Sequence, residues 1–445
     1  MTTRIFLSST LYGAATLAAA LDADCFGPAD RNVLLVANNA ATPETSPSLD
    51  EMPGFERLRG RFDEILSWNE TIAPFHPGAW AVRADDVPLW ERHLRLAWRL
   101  GDDDVSLVVE SIQVNPAMAV AQIFTGAPIE VYADGLMSYG PTRNKLDPLV
   151  GTRVRRLLHL DLVPGLTPLL LTEFGVRPEI VPTDAFLKVL GELGDDVSAA
   201  ALPDLETPAL LLGQYLSALE ILTDEQEEDL HLRMLRGAVD LGHRRIVFKP
   251  HPTAPARWSR GLEAEAEKLG VELTVLDSPV LAEVLYQRMR PALVVGCFST
   301  ALLTASALYG LPVARVGTDT LLDRLTPYQN SNRVPLTLVD VLLPDLTNRK
   351  AVEEQRIGKA GDELNGLVVA VGFAMQPKVY PDRRADAEKY LTAHLNERTW
   401  RYFKRRRLTT LALPGALPAQ LSFLPRNATV RRVARKARSL KRALS

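Results

Sequence analysis

The chain has 445 residues, of which 47% are hydrophobic and 24% are charged, and its formal net charge at pH 7 is −3. These values are those of an ordinary soluble globular protein with room for two or three domains. The two cysteines, Cys25 and Cys297, are far apart, which argues against a disulfide framework or a zinc site and fits a reducing compartment. No apolar run reaches about 18 residues, so we expect no membrane-spanning segment.

In the first half of the chain, short apolar runs alternate with helical patterns. The predicted strands are residues 5–8, 33–37, 105–109 and 129–132. The predicted helices are residues 13–21, 53–66, 89–100 and 117–124. Repeated strand–helix units predict a parallel sheet with helices on both faces.

Gly, Asp, Ser and Pro residues between positions 191 and 208 predict a linker, after which the alternation resumes. Strands are predicted at residues 210–213, 246–249, 273–276, 293–295 and 312–316, and helices at residues 224–241, 262–269, 281–288 and 299–308. The sequence therefore predicts an α/β protein with two Rossmann-like domains that face a central cleft. We expect an acceptor-side domain at residues 1–190, a nucleotide-sugar domain at residues 209–380, and helices with a basic tail at residues 381–445.

The most informative stretch is a short apolar strand that ends in a proline-rich turn. Residues 246–248 are apolar, and Lys249, Pro250, His251 and Pro252 follow them. Because proline cannot continue a strand, the strand ends at Lys249 and a rigid turn holds His251. Ligands of parallel sheets bind at the carboxyl ends of strands, where a histidine can transfer a proton near neutral pH. A surface turn that happens to contain histidine is the alternative.

Two other predicted strands also end in polar residues. Ser299 and Thr300 follow an apolar strand where a helix N-cap belongs, and the free N–H groups of that position suit a phosphate without a metal. Asp134 and Gly135 follow the strand at residues 129–132, and an aspartate there can act as a general base. An ordinary helix cap and a turn-forming Asp-Gly pair are the alternative interpretations.

Taken together, these motifs resemble those of bacterial sialyltransferases with the GT-B fold. That family has an acidic-acidic-Gly motif in its first domain, and a His-Pro motif and a Ser-Ser/Thr pair in its second. The chain is most similar to the polysialyltransferase-type branch, over roughly residues 1–330. The matching pairs are Asp134-Gly135, His251-Pro252 and Ser299-Thr300. Ala133 departs from the pattern, because the family has an acid there, but the family's base is the second acid.

The resemblance implies an inverting, metal-independent transfer of a sialic acid from a CMP-activated sugar to a glycan or glycolipid acceptor, without a cofactor. Asp134 would take the proton of the acceptor hydroxyl, and His251 would stabilise or protonate the departing phosphate. The resemblance assigns the other positions to substrate binding: Ser299 and Thr300 to the phosphate, Glu283 to the ribose, Lys249 and Pro250 to the cytosine, and Gly135 and Pro252 to the substrate more generally.

Two alternative functions belong to other classes. Teichoic-acid glycerophosphotransferases also combine a His-Pro-like motif with a CDP-alditol donor, so the donor could be of that kind. A membrane-associated scaffold that kept the fold and lost catalysis is the second alternative, which the alanine at position 133 makes conceivable.

The charge of the chain is concentrated at its C-terminal end. Residues 401–445 contain thirteen Lys or Arg and no Asp or Glu, and residues 426–445 combine eight of these cations with apolar residues near helical spacing. This pattern favours a basic amphipathic helix on anionic lipid, at the inner face of the cell membrane. Nucleic acid is not expected, because the final segment lacks aromatic stacking residues. A solvated tail is the alternative.

Overall fold

The computed structural model describes residues 1–196, 207–251, 256–276, 278–354 and 358–416. Its backbone is built around two parallel sheets. The first contains β1 (Thr2–Ser8), β2 (Arg31–Val36), β3 (Glu64–Ser67), β4 (Asp104–Glu110), β5 (Ile129–Ala133), β6 (Val154–His159) and β7 (Arg177–Ile180). The second contains β8 (Ala209–Leu212), β9 (Arg245–Lys249), β10 (Glu272–Val275), β11 (Leu293–Gly296) and β12 (Val313–Arg315).

Helices connect the strands and extend the second domain toward the C-terminus. In the first domain they are α1 (Leu11–Asp22), α2 (Glu56–Arg59), α3 (Trp68–Ile72), α4 (Val87–Ala97), α5 (Ala117–Ile123), α6 (Pro148–Gly151) and α7 (Thr183–Asp196). They continue as α8 (Asp224–Asp240), α9 (Ala256–Leu269), α10 (Ala282–Met289), α11 (Thr300–Ala307), α12 (Thr318–Arg324), α13 (Arg333–Leu342), α14 (Arg349–Glu353), α15 (Asp362–Met375), α16 (Arg384–His394) and α17 (Arg405–Thr410).

The strand order of each sheet reverses beside its first strand. The first sheet has the order β3-β2-β1-β4-β5-β6-β7, and the second has the order β10-β9-β8-β11-β12. Such a reversal opens a crevice at the carboxyl ends of the neighbouring strands, where ligands of α/β proteins bind. The prediction of an α/β protein with two Rossmann-like domains is confirmed.

Burial on both faces explains the composition of the central strands. β8 reads Ala-Leu-Leu-Leu and β11 reads Leu-Val-Val-Gly, and every residue of both strands is buried. A strand covered by helices on both sides has no polar face, so it reads as a continuous apolar run. These two strands pair in parallel, and the carboxyl end of β11 leads into the Ser299-Thr300 pair.

The prediction of one helix at residues 53–66 is wrong. The segment forms only the short α2, and the chain then enters β3, which pairs with β2 at the edge of the first sheet. Phe55, Leu58 and Phe62 are buried and recur at near-helical spacing, which produces the misleading pattern. Pairing with β2 satisfies the backbone of the following residues as a strand instead.

Helix α7 ends later than the sequence predicts. It runs to Asp196, so six residues of the range 191–208, which the sequence predicts to be a linker, are helical. The buried Leu193 belongs to the apolar face of this helix. Residues 197–206 lie outside the described part of the chain.

The helices after residue 360 return to the first domain. Tyr380 connects them to it: its hydroxyl accepts from the Thr142 N–H at 2.9 Å and lies 3.0 Å from the Leu169 carbonyl oxygen. On α15, Gly372 lies against Leu169, so closely that an added Cβ would come within 2.6 Å of its Cδ1 atom. The C-terminal segment therefore contacts both domains.

Some of the basic residues near the C-terminus form ion pairs and hydrogen bonds within the fold. Arg401 pairs with Asp319 and Asp340, and Lys404 pairs with Asp323 at 3.5 Å. Arg407 donates to the Ala374 carbonyl at 2.6 Å. Eight of the thirteen cations, which belong to the predicted basic helix at residues 426–445, lie outside the described residues. In the part of the chain that is described, no helix combines the length and the apolarity needed to cross a bilayer.

Candidate active site

A cavity of about 690 Å³ lies where the carboxyl ends of the two sheets face each other. Residues of both domains line it. Five of the predicted site residues are among them: Asp134, Gly135, His251, Ser299 and Thr300. The three motifs are far apart in sequence, so the fold brings them together at one site.

One inter-domain contact fixes the first motif against the third. Ser299 caps α11 by accepting from the Ala301 N–H at 3.2 Å. Thr300, the first residue of the helix, places its Oγ1 atom 3.4 Å from the Leu136 N–H of the first domain. A Cβ atom at Gly135 would lie 3.0 Å from the same Oγ1, so glycine permits this close approach. The helix N-terminus and its hydroxyls therefore lie directly beside Asp134 and Gly135.

His251 is exposed to the cleft at the end of β9. Its ring lies 6.2 Å from that of Tyr215, which follows the end of β8 and lines the same cavity. Partial loss of solvation, and secondarily the nearby Lys249 ammonium, lower the pKa of the imidazole from its usual value. A bound phosphate would oppose both effects, because an anion favours the imidazolium form. Pro252, the other half of the motif, lies outside the described residues.

The remaining predicted donor-binding residues do not line the cavity. Lys249 donates from Nζ to the Ser278 carbonyl at 3.2 Å, and Pro250 is half-buried beside it. Glu283 is only 4% exposed, because it is packed between α10 and α11 and accepts from the Thr304 hydroxyl at 2.8 Å. Burial raises the pKa of its carboxyl. In this state the carboxylate of Glu283 is covered by protein.

Asp134 occupies the first-domain side of the cavity. Loss of solvation raises the pKa of its carboxyl, so the group is a stronger base than a solvated aspartate. Ala133, at the end of β5, packs against the hydrophobic cluster on the outer face of the first sheet, whereas Tyr132 belongs to the cluster on the inner face. Adjacent residues of a strand point to opposite faces of the sheet. The alanine at position 133 therefore does not take a side chain away from the face on which Asp134 lies.

Glu110 is a cavity residue that the sequence reasoning missed. It is the last residue of β4, lines the cavity, and lies in register with Tyr132 of the neighbouring strand β5. Its Oε2 accepts from the Ser9 N–H and from the Tyr132 hydroxyl, each at 3.2 Å. Burial, opposed by the Ser9 hydrogen bonds and reinforced by the charge of Asp134, raises the pKa of Glu110 to about 7. The rule that identified Asp134, an acid at the carboxyl end of a central strand, applies equally to Glu110.

Arg143 was also missed, because no motif marks it. It is the single Lys or Arg among the described residues that line the cavity. Its backbone is held on two sides: the N–H donates to Gln113, and the carbonyl accepts from the Gln376 side chain. The exposed guanidinium donates to the Ser331 hydroxyl at 3.2 Å.

These residues give the cavity two chemically different sides. The first domain contributes two carboxyl groups, which can accept a proton. The second contributes a histidine, two hydroxyls and a helix N-terminus, which suit an anionic group. Over the described residues, no three His, Cys, Asp or Glu side chains are grouped as metal ligands. The arrangement suits the transfer of a group between a proton-losing hydroxyl and a phosphate.

Comparison with protein families gives a direct match. The model of the family described as alpha-2,8-polysialyltransferase (POLYST) matches residues 4–318, which is more than two thirds of the chain. The match covers all five cavity residues that the motifs predict. A search of curated proteins found no significant match.

Solved structures with a similar backbone include several glycosyltransferases. A sialyltransferase from Photobacterium damselae, residues 113–497 corresponding to its GT-B domain, is 12% identical, with 78% of this chain and 99% of that chain covered and a TM-score of 0.39. MurG from Acinetobacter baumannii is 10% identical, with coverages of 88% and 95% and a TM-score of 0.40. A Photobacterium 2,6-sialyltransferase in complex with CMP and lactose is 10% identical, with both coverages 78% and a TM-score of 0.38.

We predict that Glu110 makes the stability of the protein depend on pH. Its pKa rises on folding, from the ordinary 4.5 to about 7. The folded state therefore binds the proton more tightly, and this stabilisation is present below pH 4.5 and is lost as the pH rises through about 7. Glu110→Gln removes this pH-dependent contribution to the stability of the folded state. Between pH 5 and pH 8, the variant should gain roughly 1–3 kcal/mol in unfolding free energy relative to wild type, as measured by urea denaturation.

The matched control is Asp104→Asn, which changes an exposed acid at the opposite end of the same strand. Its stability difference from wild type should stay constant over this pH range. If the difference in unfolding free energy between Glu110→Gln and wild type is also constant from pH 5 to pH 8, the raised pKa of Glu110 is contradicted.

Proposed function

The chain belongs to the alpha-2,8-polysialyltransferase family and is a glycosyltransferase, and we propose that it transfers a sialic acid from a CMP-activated donor to a hydroxyl of a glycan acceptor. The observation that carries this proposal is the juxtaposition of three motifs in one cavity, at the contact between Thr300 and the Leu136 N–H. A proton acceptor and an anion site then face the same reacting centre.

The second domain, residues 209–380, would bind the donor. The α11 N-terminus would hold the phosphate through its N–H groups and the hydroxyls of Ser299 and Thr300. Lys249 and Pro250 would flank the cytosine. Glu283, which accepts a hydrogen bond from Thr304 of α11, would exchange that bond for the ribose hydroxyls. The first domain, residues 1–190, would hold the acceptor.

The proposed reaction is one displacement. The Asp134 carboxylate takes the proton of the acceptor hydroxyl while its oxygen forms a bond to the anomeric carbon of the sialic acid. The bond from that carbon to the phosphate oxygen breaks, and its electron pair goes to the phosphate of CMP. His251, as imidazolium, stabilises this charge or donates its proton to it. A single attack from the face opposite the leaving group inverts the anomeric centre.

The chemistry of the leaving group supports a metal-independent mechanism. CMP leaves as a monophosphate ester, which develops less negative charge than a diphosphate. One imidazolium, two hydroxyls and a helix N-terminus together supply partial positive charge at that position. This set of groups is matched to one phosphate.

We further propose that the enzyme acts at the inner face of the cell membrane, on an acceptor that builds a surface polysaccharide. Eight cations without an acid in residues 426–445 support this, since each contributes about 1 kcal/mol near an anionic surface. Even half of them would hold the protein reversibly.

We predict that His251→Ala lowers turnover with a CMP-sialic acid donor by about 10² or more, because the leaving phosphate loses its proton donor. The fold should be kept, since the side chain is exposed. Release of CMP, followed by chromatography with a panel of CMP-sugars and CDP-glycerol, measures this and identifies the donor class. His243→Ala, which changes a histidine just before the other end of β9, should behave as wild type. Turnover of His251→Ala within a few-fold of wild type would contradict the leaving-group role.

We predict that a chain ending at Pro425 no longer sediments with phosphatidylserine vesicles, whereas the full chain sediments with them at low salt and is released at high salt. Uncharged phosphatidylcholine vesicles are the control and should bind neither form. The shortened chain should keep its activity on a short soluble acceptor, because the proposed catalytic residues all precede residue 301. Equal vesicle binding by both forms would contradict the membrane proposal.

A further inference from the structure

Two carboxyl groups end neighbouring strands on the acceptor side of the cavity. Asp134 follows β5 and Glu110 ends β4, and the two strands pair in parallel from Leu107 to Glu110. Both residues line the same cavity. Paired strands lie about 4.8 Å apart, so the two side chains face one small volume. The proposed displacement uses only one of them.

The groups around Glu110 define how its carboxyl can act. Two groups donate hydrogen bonds to the Oε2 atom of Glu110. They are the N–H of Ser9, in the turn after β1, and the hydroxyl of Tyr132 on β5. The Tyr132 hydroxyl also lies 3.1 Å from the Leu7 carbonyl oxygen, so its single proton is shared between that oxygen and Glu110. Gly13 of α1 lets that helix approach closely, since a Cβ there would lie 2.9 Å from the Tyr132 hydroxyl. The carboxyl is thus held by its Oε2 atom.

Two neighbouring carboxylates in a partly desolvated site cannot both ionise at low cost. Burial, together with the Asp134 charge, raises the pKa of Glu110 to about 7, so this carboxyl is protonated below that pH and loses its proton above it. Burial also raises the pKa of Asp134.

We propose that Glu110 is the second functional carboxyl of the acceptor site: Asp134 is the ionised member that takes the proton, and protonated Glu110 donates a hydrogen bond from Oε1 to a neighbouring oxygen of the acceptor. This rests on the proposed function. Oε2 is the carbonyl oxygen that accepts from Ser9 and Tyr132, which leaves the Oε1–H to point at the substrate. The neighbouring strand thus supplies a second acid to the cavity that Asp134 lines.

Acceptor binding without turnover tests this most cleanly. The probe is a short α-2,8-linked sialic acid oligomer, titrated calorimetrically into the protein with CMP bound, so that no transfer occurs. If only protonated Glu110 binds well and its pKa is about 7, affinity should fall about tenfold from pH 6 to pH 8. Glu110→Gln keeps a neutral donor at every pH, so its affinity should change less than about twofold over that range.

Further variants separate the role of Glu110 from a loss of structure. Glu110→Ala should bind the oligomer about tenfold more weakly at pH 6 and show no pH dependence, because the hydrogen bond is missing. Asp104→Asn, at the far end of the same strand, should match wild type. Tyr132→Phe removes a hydrogen bond that lowers the pKa of Glu110, so its affinity should fall at a higher pH than in wild type. Thermal unfolding and CMP binding confirm that each variant is folded.

Equal pH dependence in wild type and Glu110→Gln, or no pH dependence in wild type, would overturn the role of Glu110. If Glu110→Gln does not fold, the role of Glu110 is overturned when the pH midpoint of the affinity change in Tyr132→Phe equals that of wild type. Failure of the proposed function gives a different result: wild type would transfer no sugar from any CMP-sialic acid, whatever residue occupies position 110.

Discussion

The site depends on the close approach of two backbones, one from each domain. Thr300 Oγ1 lies 3.4 Å from the Leu136 N–H, and the absence of a side chain at Gly135 makes room for it. A helix N-terminus from the second sheet is thereby placed against the strand end that carries Asp134. Because the chain returns through α15 and Tyr380 to the first domain, the two sides of this contact are also tied together at a distance from the cavity.

The electrostatics of the cavity follow from which domain supplies each group. Among the described residues that line the cavity, the carboxyl groups are at strand ends of the first domain, where burial raises their pKa values. His251, whose pKa is lowered, and the α11 N-terminus come from the second domain. The proton-accepting side and the anion-binding side thus lie on opposite sheets, where they can act on the two ends of one reaction.

Strand-end chemistry and order along the chain were enough to predict the two-domain fold and five of the cavity residues from sequence. They failed at Glu110 and Arg143, for different reasons. Glu110 meets the same strand-end rule as Asp134, but only the strand order shows that its strand lies beside β5. Arg143 lies in a loop whose position depends on Gln113 and Gln376, residues distant in sequence. Glu283 shows the reverse: the resemblance assigns it to the ribose, but the helix packing around it, which sequence does not specify, covers its carboxylate.

We propose that the acceptor-side base and the donor site belong to opposite domains and act independently in binding. Asp134→Asn tests this directly, because the variant removes the base but keeps the shape. Calorimetry with CMP and a transfer assay with a CMP-sialic acid are made on the same preparation. We expect CMP affinity within about twofold of wild type together with a loss of transfer of about 10² or more. Transfer close to wild type, or a loss of CMP affinity as large as the loss of transfer, would contradict it.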